Sequence, residues 1–273
     1  MNTKKSLQLL GISLITSALT LGCNNTSLPE NNLSNVIPTT ELTVSVAGSL
    51  KDAMEEIKPL YQEEYPDTEI IYNFASSGSL QRQIEQGAPV DVFISAAVGK
   101  MDAIEKQGLI DPKTRQNLIK NQLVLIVPTE SKNAESIADF KDLTAENIKI
   151  IALGESESVP AGQYAQEVLS FFEITAQVND KAIYGKDVHQ ILNYVATGNV
   201  DAGILYQTDA QSSDYVKIAA KAPDRSHTPI IYPIAVLQDS KNAEAANEFV
   251  AFLATPEAQE IFEEHGFVPM TNP

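Results

Sequence analysis

Four short segments constrain this chain of 273 residues more than anything else in it. They are Val46-Ala47-Gly48-Ser49-Leu50, Ala75-Ser76-Ser77-Gly78-Ser79, Val159-Pro160-Ala161-Gly162 and Gly185-Lys186-Asp187-Val188. Each reads as a strand running into a helix, with small or hydroxyl residues where the first helical N–H groups lack an intrahelical partner. Such a terminus attracts anions through its free donors and the positive end of the helix dipole. One of them alone is an ordinary N-cap. Four that converge make an oxyanion cage.

The intervening sequence supports a chain of βα units. Leu42–Val46 alternates as a strand, and Leu50, Ala53, Met54, Ile57, Leu60 and Tyr61 then keep the 3.6-residue period of a buried helix face. Pro59 is expected to bend or shorten that helix. Glu69–Phe74 and Val90–Ala96 read as strands, Leu80–Gln86 and Val98–Lys106 as helices, the latter ending near Gly108. A second α/β unit begins near Gln122, with strands Leu123–Val127, Ile148–Ala152 and Ala202–Tyr206 and helices starting near Ala161 and Asp187. An apolar strand, Ile230–Leu237, and two helices, Ala243–Leu253 and Pro256–His265, complete the pattern. This alternation argues for mainly parallel sheets covered by helices, in two lobes. Ligands of open α/β sheets gather at the carboxyl ends of the strands, where the four segments lie.

The N-terminus reads as a targeting segment. Lys4 and Lys5 precede an apolar stretch, Leu7–Leu21, that ends at Gly22-Cys23. It is too short and wrongly flanked for a stable membrane span, and reads as a signal peptide over 1–22. Cys23 is the only cysteine, so no disulfide forms within the chain. Its place after Leu19-Thr20-Leu21-Gly22 resembles a bacterial lipobox, in which the Cys is acylated, although Thr20 stands where that motif usually has Leu. An ordinary cleaved signal followed by an incidental Cys is the competing reading. Asn24–Thr40, rich in Asn, Ser, Thr and Pro, cannot bury enough surface to offset its ordering entropy and reads as a flexible tether.

Charge excludes one class of partner. With 36 acidic and 19 basic side chains the net charge is −17, and no run of Lys or Arg offers a nucleic-acid surface. An anion site in an acidic protein is no contradiction, because screening over about 8 Å lets local dipoles dominate a closed site.

In this order the segments resemble the periplasmic molybdate-binding proteins of ABC importers, type II Venus-flytrap solute-binding proteins. The likeness runs from about Leu42 to Val268. It is carried by Ala47-Gly48-Ser49-Leu50, Phe74-Ala75-Ser76-Ser77-Gly78-Ser79-Leu80, Gly87-Ala88-Pro89-Val90-Asp91-Val92-Phe93-Ile94-Ser95-Ala96, Val159-Pro160-Ala161-Gly162 and Gly203-Ile204-Leu205-Tyr206. Two positions depart from the pattern: Gly78, where a third Ser is common, and Gly48, often Ala. The resemblance implies an α/β, two-lobed type II binding-protein fold, each lobe a mainly parallel sheet flanked by helices. Residues 41–121 and 231–273 would form lobe 1 and residues 122–230 lobe 2, with 23–40 as lipidated Cys and tether. It places the oxyanion between Ser49 and Ser77 of the first lobe and Ala161, Val188 and Tyr206 of the second. The implied ligand is molybdate, with tungstate, and the implied partner an ABC permease. A monomer is expected, extracytoplasmic and held to the membrane only through Cys23, with no cofactor and no direct metal ligand.

The residues support that site independently. A fully deprotonated dianion needs donors only, so hydroxyls and amides suffice without a cation. Ala161 and Val188 can serve through backbone N–H groups at helix starts. Taken singly, Ser49 and Ser77 are helix caps, Ala161 and Val188 packing residues, and Tyr206 a core or rim residue. Asp187 reads as a cap, since its charge would repel the anion. Two other functions are weighed. Another tetrahedral oxyanion, such as sulfate, would use the same machine. A secreted hydrolase would use Ser77 or Ser156 with a histidine, but Gly154-Glu155-Ser156-Glu157-Ser158 lacks the final Gly of a nucleophile elbow. His189, His227 and His265 are scattered and form no zinc motif.

Overall fold

The computed structural model describes residues 39–131 and 134–270. The expected signal peptide, Cys23 and the tether up to residue 38 lie outside the described residues. Along the chain, β1 (Thr40–Ala47) passes through a single 3₁₀ turn, Gly48–Leu50, into α1 (Lys51–Glu64). Then come β2 (Thr68–Ala75), α2 (Ser77–Glu85), β3 (Val92–Ile94), α3 (Val98–Lys106) and β4 (Gln116–Lys120). The middle of the chain forms β5 (Leu123–Pro128), β6 (Ile151–Gly154), α4 (Pro160–Phe171), α5 (Thr175–Asn179), β7 (Ala182–Gly185) and α6 (Val188–Ala196). It continues through β8 (Ala202–Tyr206), α7 (Gln207–Gln211) and β9 (Val216–Lys221). The chain closes with β10 (Ile231–Val236), α8 (Ala243–Phe252), α9 (Pro256–Glu264) and β11 (Val268–Pro269).

Two sheets result. The first runs β11-β4-β10-β3-β1-β2 and the second β7-β6-β8-β5-β9. Each has a parallel half, as the βα alternation requires: β2, β1 and β3 in the first, β7, β6 and β8 in the second. Each also has an antiparallel half that the expectation of mainly parallel sheets misses, so both sheets are mixed. The cause is the double crossing between sheets. The chain leaves the first sheet after β4 and enters the second at β5 with only Asn121 and Gln122 between them. It returns from β9 to β10 alongside that crossing: Asn121 N–H donates to Ile230 O at 3.1 Å and Ala222 N–H to Leu123 O at 2.9 Å. An outgoing and a returning segment that hydrogen-bond side by side must run antiparallel, and the strands they extend inherit that direction.

Smaller departures have local reasons. Pro59 does not shorten α1, which runs on to Glu64. The carbonyl it deprives of a partner belongs to exposed Glu55 and can be hydrated. Leu60 is 41% exposed rather than part of the buried face, which Ala53, Met54, Ile57 and Tyr61 supply. β6 starts three residues later than its apolar run, because the N–H groups of Lys149 and Ile150 donate to the Asp201 carboxylate instead of a ladder. Strands β7, β9 and β11, which the apolar pattern does not reveal, lie at sheet edges and carry exposed or charged residues such as Tyr184, Lys217 and Val268.

The parallel strands of both sheets end at one place. Beyond Ala47 and Ala75 in the first sheet, and at or beyond Gly154, Gly185 and Tyr206 in the second, lie the starts of α1, α2, α4 and α6 and the turn into α7. Helix α4 comes close because Gly162 lacks a side chain: a Cβ there would lie 2.1 Å from Gly154 O and 2.5 Å from its carbonyl carbon. No other residue permits that approach of helix to strand.

Candidate functional site

A small cavity sits where these ends meet. It is lined by Ala47, Gly48, Ser49, Ser76, Ser77 and Ala96 from the first sheet's side, and by Val159, Pro160, Asp187, Val188 and Tyr206 from the second. Four of the five residues expected at the site therefore share one cavity. The fifth, Ala161, is fully buried and is not itself a lining residue. It follows Pro160, which has no N–H, so Ala161 carries the first backbone donor of α4.

The backbone donors are free for structural reasons. In α2, Ser79 and Leu80 N–H groups both return to Ser76 O, and the helix supplies no acceptor for Ser77 N–H. In α4, the N–H groups of Gly162 and Gln163 turn back to Val159 O, leaving Ala161 outside the ladder. In α6, Asp187 is the N-cap: its Oδ1 accepts from Gln190 N–H at 2.8 Å. Val188 is the first residue of that helix and its N–H precedes the ladder.

The side-chain donors are oriented by partners that spacing does not show. Ser77 Oγ accepts a hydrogen bond from Ala96 N–H at 2.9 Å. Ser49 Oγ lies 2.8 Å from Tyr232 Oη. Tyr232 Oη in turn accepts from Asn121 Nδ2 at 3.1 Å, and that amide also donates to Thr208 Oγ1 at 3.0 Å. The orientation of the Asn121 amide is set by Gln122 N–H, which donates to Asn121 Oδ1 at 2.8 Å. Tyr206 is 1% exposed, and its Oη has no hydrogen-bond partner among the described residues. Burial pushes its pKa well above the ordinary phenol value, so it is a neutral donor at any physiological pH.

Tyr232 and Asn121 are the functional-site residues that sequence reasoning missed. Tyr232 looks like one apolar member of a core strand, and Asn121 like a polar junction. Their contacts to Ser49 and to each other span 183 and 111 positions, so nothing local announces them. Asp209 was missed for the same reason. It is 6% exposed, its Oδ2 has no partner among the described residues, and its charge bears on both Tyr206 and Tyr232. Burial, with Asp52 and Asp187 nearby, pushes its pKa up to about 8.

Other chemistries find less support. Among the described residues, no group of three or more His, Cys, Asp or Glu is placed to hold a metal ion. His227 bonds Thr228 O and His265 bonds Glu56, and among the described residues no histidine is hydrogen-bonded to a serine. No helix among the described residues is long and apolar enough to cross a membrane.

Residues 42–268 match the family of bacterial extracellular solute-binding proteins. The chain belongs to that family. It is 43% identical over 250 residues to a Bacillus subtilis (strain 168) protein named as an ABC transporter substrate-binding lipoprotein, YvgL, covering 91% of this chain and 93% of the relative. It is 35% identical over 228 residues to the molybdate-binding protein ModA of Haemophilus influenzae, covering 83% and 89%. A solved substrate-binding domain described as that of a molybdenum ABC transporter from Clostridium difficile superposes with a TM-score of 0.66 at 42% identity. That match covers 85% of this chain and all of the solved domain. The two-lobed α/β fold of a solute-binding protein is therefore established here.

The buried carboxyl of Asp209 gives this solute-binding chain a pH signature. An unfolded Asp titrates near pH 3.9, so between about 4 and about 8 the folded state holds a proton that the unfolded state has lost. Stability is full below the unfolded pKa and falls as pH rises towards about 8, by at most about 1.4 kcal/mol per pH unit. Asp209→Asn, which mimics the protonated carboxyl, should remove that fall, and its melting temperature should gain on wild type as pH rises. A difference in melting temperature that stays constant across this range would show that Asp209 titrates normally.

Proposed function

We propose that the cavity binds a fully deprotonated tetrahedral oxyanion, molybdate and with it tungstate, and that the chain delivers it to an ABC permease. One observation carries the reading: the cavity gathers hydroxyls and helix-start N–H groups from both sheets, and no lysine or arginine lines it. In this reading Tyr232, whose oxygen accepts from Asn121, donates to Ser49 Oγ, and the Ser49 hydrogen serves the cavity. Ala96 N–H donates to Ser77 Oγ, whose own hydrogen serves the cavity in the same reading. Tyr206 adds a buried, unpartnered hydroxyl. The N–H groups of Ser77, Ala161 and Val188 add donors from three helix starts, each backed by a helix dipole. Asp187 is the one carboxylate in the lining, and it is engaged in capping α6. The names of the relatives point to the same ligand.

The lobes of this proposal are residues 41–121 with 231–273, and 122–230, which open and close about the paired crossings at Asn121 and Ala222. Residues 1–22 are a cleaved signal, residues 23–40 a tether, and Cys23 the acylated anchor that holds a monomer at the outer face of a membrane. Stable anchoring needs more than one acyl chain.

Three outcomes follow. In a thermal-shift panel at matched concentration, molybdate and tungstate should raise the melting temperature most. Phosphate should do little, because its remaining proton needs an acceptor. Sulfate, being smaller, cannot reach donors on both lobes, and a shift equal to that of molybdate would refute the assignment. Tyr206→Phe removes one hydrogen bond to a charged acceptor, worth about 1.5–3 kcal/mol. Its calorimetric dissociation constant for molybdate should rise about ten- to 150-fold. Its ligand-free melting temperature should hold or rise, since the lost hydroxyl is buried without a partner; unchanged affinity would take Tyr206 out of the site. Finally, wild type should fractionate with membranes and Cys23→Ser should be released or misprocessed, whereas wild type recovered wholly as soluble, unmodified protein would contradict the anchor.

A further inference from the structure

Helix α2 spends one of its free N–H groups on something other than the cavity. Gly78, its second residue, donates its N–H to Ser158 O at 2.9 Å. Ser158 belongs to the second lobe, in the turn that leads into α4. The approach is closer than any side chain allows: a Cβ at position 78 would lie 2.6 Å from Ser158 O, 2.7 Å from its Cα and 3.0 Å from its carbonyl carbon. All three are backbone atoms, so no rotamer change relieves the clash. A second tie lies beside the first, where Lys100 Nζ of α3 donates to Glu157 O at 2.7 Å. The successive carbonyls of Glu157 and Ser158 are thus each held by a donor from the opposite lobe.

The gripped turn is itself firm. Ser158 and Val159 N–H groups both return to Glu155 O, Ser158 Oγ bonds Glu155 Oε2 at 3.1 Å, and Glu155 N–H bonds Gly185 O at 3.0 Å. It joins β6 to α4 and reaches across to the end of β7, so it moves with the second lobe's half of the cavity. Gly78 directly follows Ser77, and Ser158 directly precedes Val159 and Pro160, which line the cavity.

We propose that Gly78 and Lys100 are the latch of the closed state, and that Gly78 sets affinity for the oxyanion without touching it. The ligand draws Ser77 and the start of α4 together, and the same movement brings Gly78 onto Ser158. The latch rests on the proposed binding of an oxyanion between the lobes. The family pattern commonly has Ser at this position, so the close approach of the two backbones is particular to this chain; the glycine's φ lies in the ordinary helical region shared by all of α2.

The test compares wild type, Gly78→Ala and Lys100→Met by calorimetric titration with molybdate, ligand-free melting, and small-angle scattering with and without molybdate. Gly78→Ala should weaken molybdate binding at least tenfold and enlarge the radius of gyration. Its ligand-free melting temperature should hold or rise, because Ala favours the exposed turn of an open α2. Lys100→Met, which removes one tie and adds no clash, should weaken binding less. It also keeps the test open should Gly78→Ala fail to fold. Wild-type affinity in both variants would overturn the latch, as would weakened binding accompanied by a lowered ligand-free melting temperature. If wild type ignores molybdate yet is more compact than Gly78→Ala, the ligand assignment fails and the latch stands. If it ignores molybdate and matches the variant in size, both fall.

Discussion

The structure depends on one requirement, that hydroxyls and helix-start N–H groups from two separate sheets reach a common point. A helix start offers such donors at no cost, because its first N–H groups have no intrahelical partner. The difficulty lies in bringing several starts together. Parallel strands solve it, since each ends at the same edge and hands the chain to a helix there. Both sheets keep a parallel half for this purpose: β1 and β2 deliver Ser49 and Ser77, while β6, β7 and β8 deliver α4, α6 and Tyr206. The antiparallel halves answer a different need, the passage of the chain between sheets and back.

Those two needs meet at Asn121. It stands in the two-residue crossing between β4 and β5, its backbone N–H bonds the returning segment at Ile230 O, and its side chain reaches Tyr232 and Thr208 together. The segment that any movement between the sheets would flex is therefore the same one that is tied to Ser49 through Tyr232. A hydrogen-bond chain begins at the Gln122 N–H, passes through an amide and a phenol, and ends on a serine. Replacing any one link by a side chain that cannot hydrogen-bond would break it and loosen the serine hydroxyl.

What could be read in the sequence and what could not divide along the range of the interactions. The helix starts were legible because capping and periodicity act over three or four residues: Asp187 before Val188, Ile191, Leu192 and Val195, or Ser76 before Leu80. The central strands were legible because they are buried on both faces. Edge strands such as β9, with Lys217 and Lys221, were not, since an edge owes its place to a neighbour's open ladder more than to its own residues. The sidedness of the sheets was misjudged for a related reason: β10 reads as one more apolar strand, and only the return crossing dictates its direction. Around the site, the sequence pointed to which residues stand at the cavity and was silent on what orients them. Tyr232, Asn121 and Asp209 act through contacts far apart in the chain. Gly78 was legible as a departure from a serine pattern, but its meaning lies in a backbone 80 residues away.

The balance of charge completes the account. The chain carries a net charge of −17, yet the cavity is proposed to hold an anion. Long-range repulsion is screened by salt over about 8 Å, so what matters inside is the charge within the site itself. There the fold keeps cations out and engages or buries the nearby carboxyls. No lysine or arginine lines the cavity, which would bind every anion alike and hold it strongly. Of the carboxyls closest in effect, Asp187 is committed to a helix cap and Asp209 is kept neutral by burial until about pH 8. A cavity of fixed donors without a cationic side chain binds by geometry, and geometry can be undone by separating its two halves. Such a site can hold its ligand closely while the sheets are together and surrender it once they part, as a protein that must release its cargo requires.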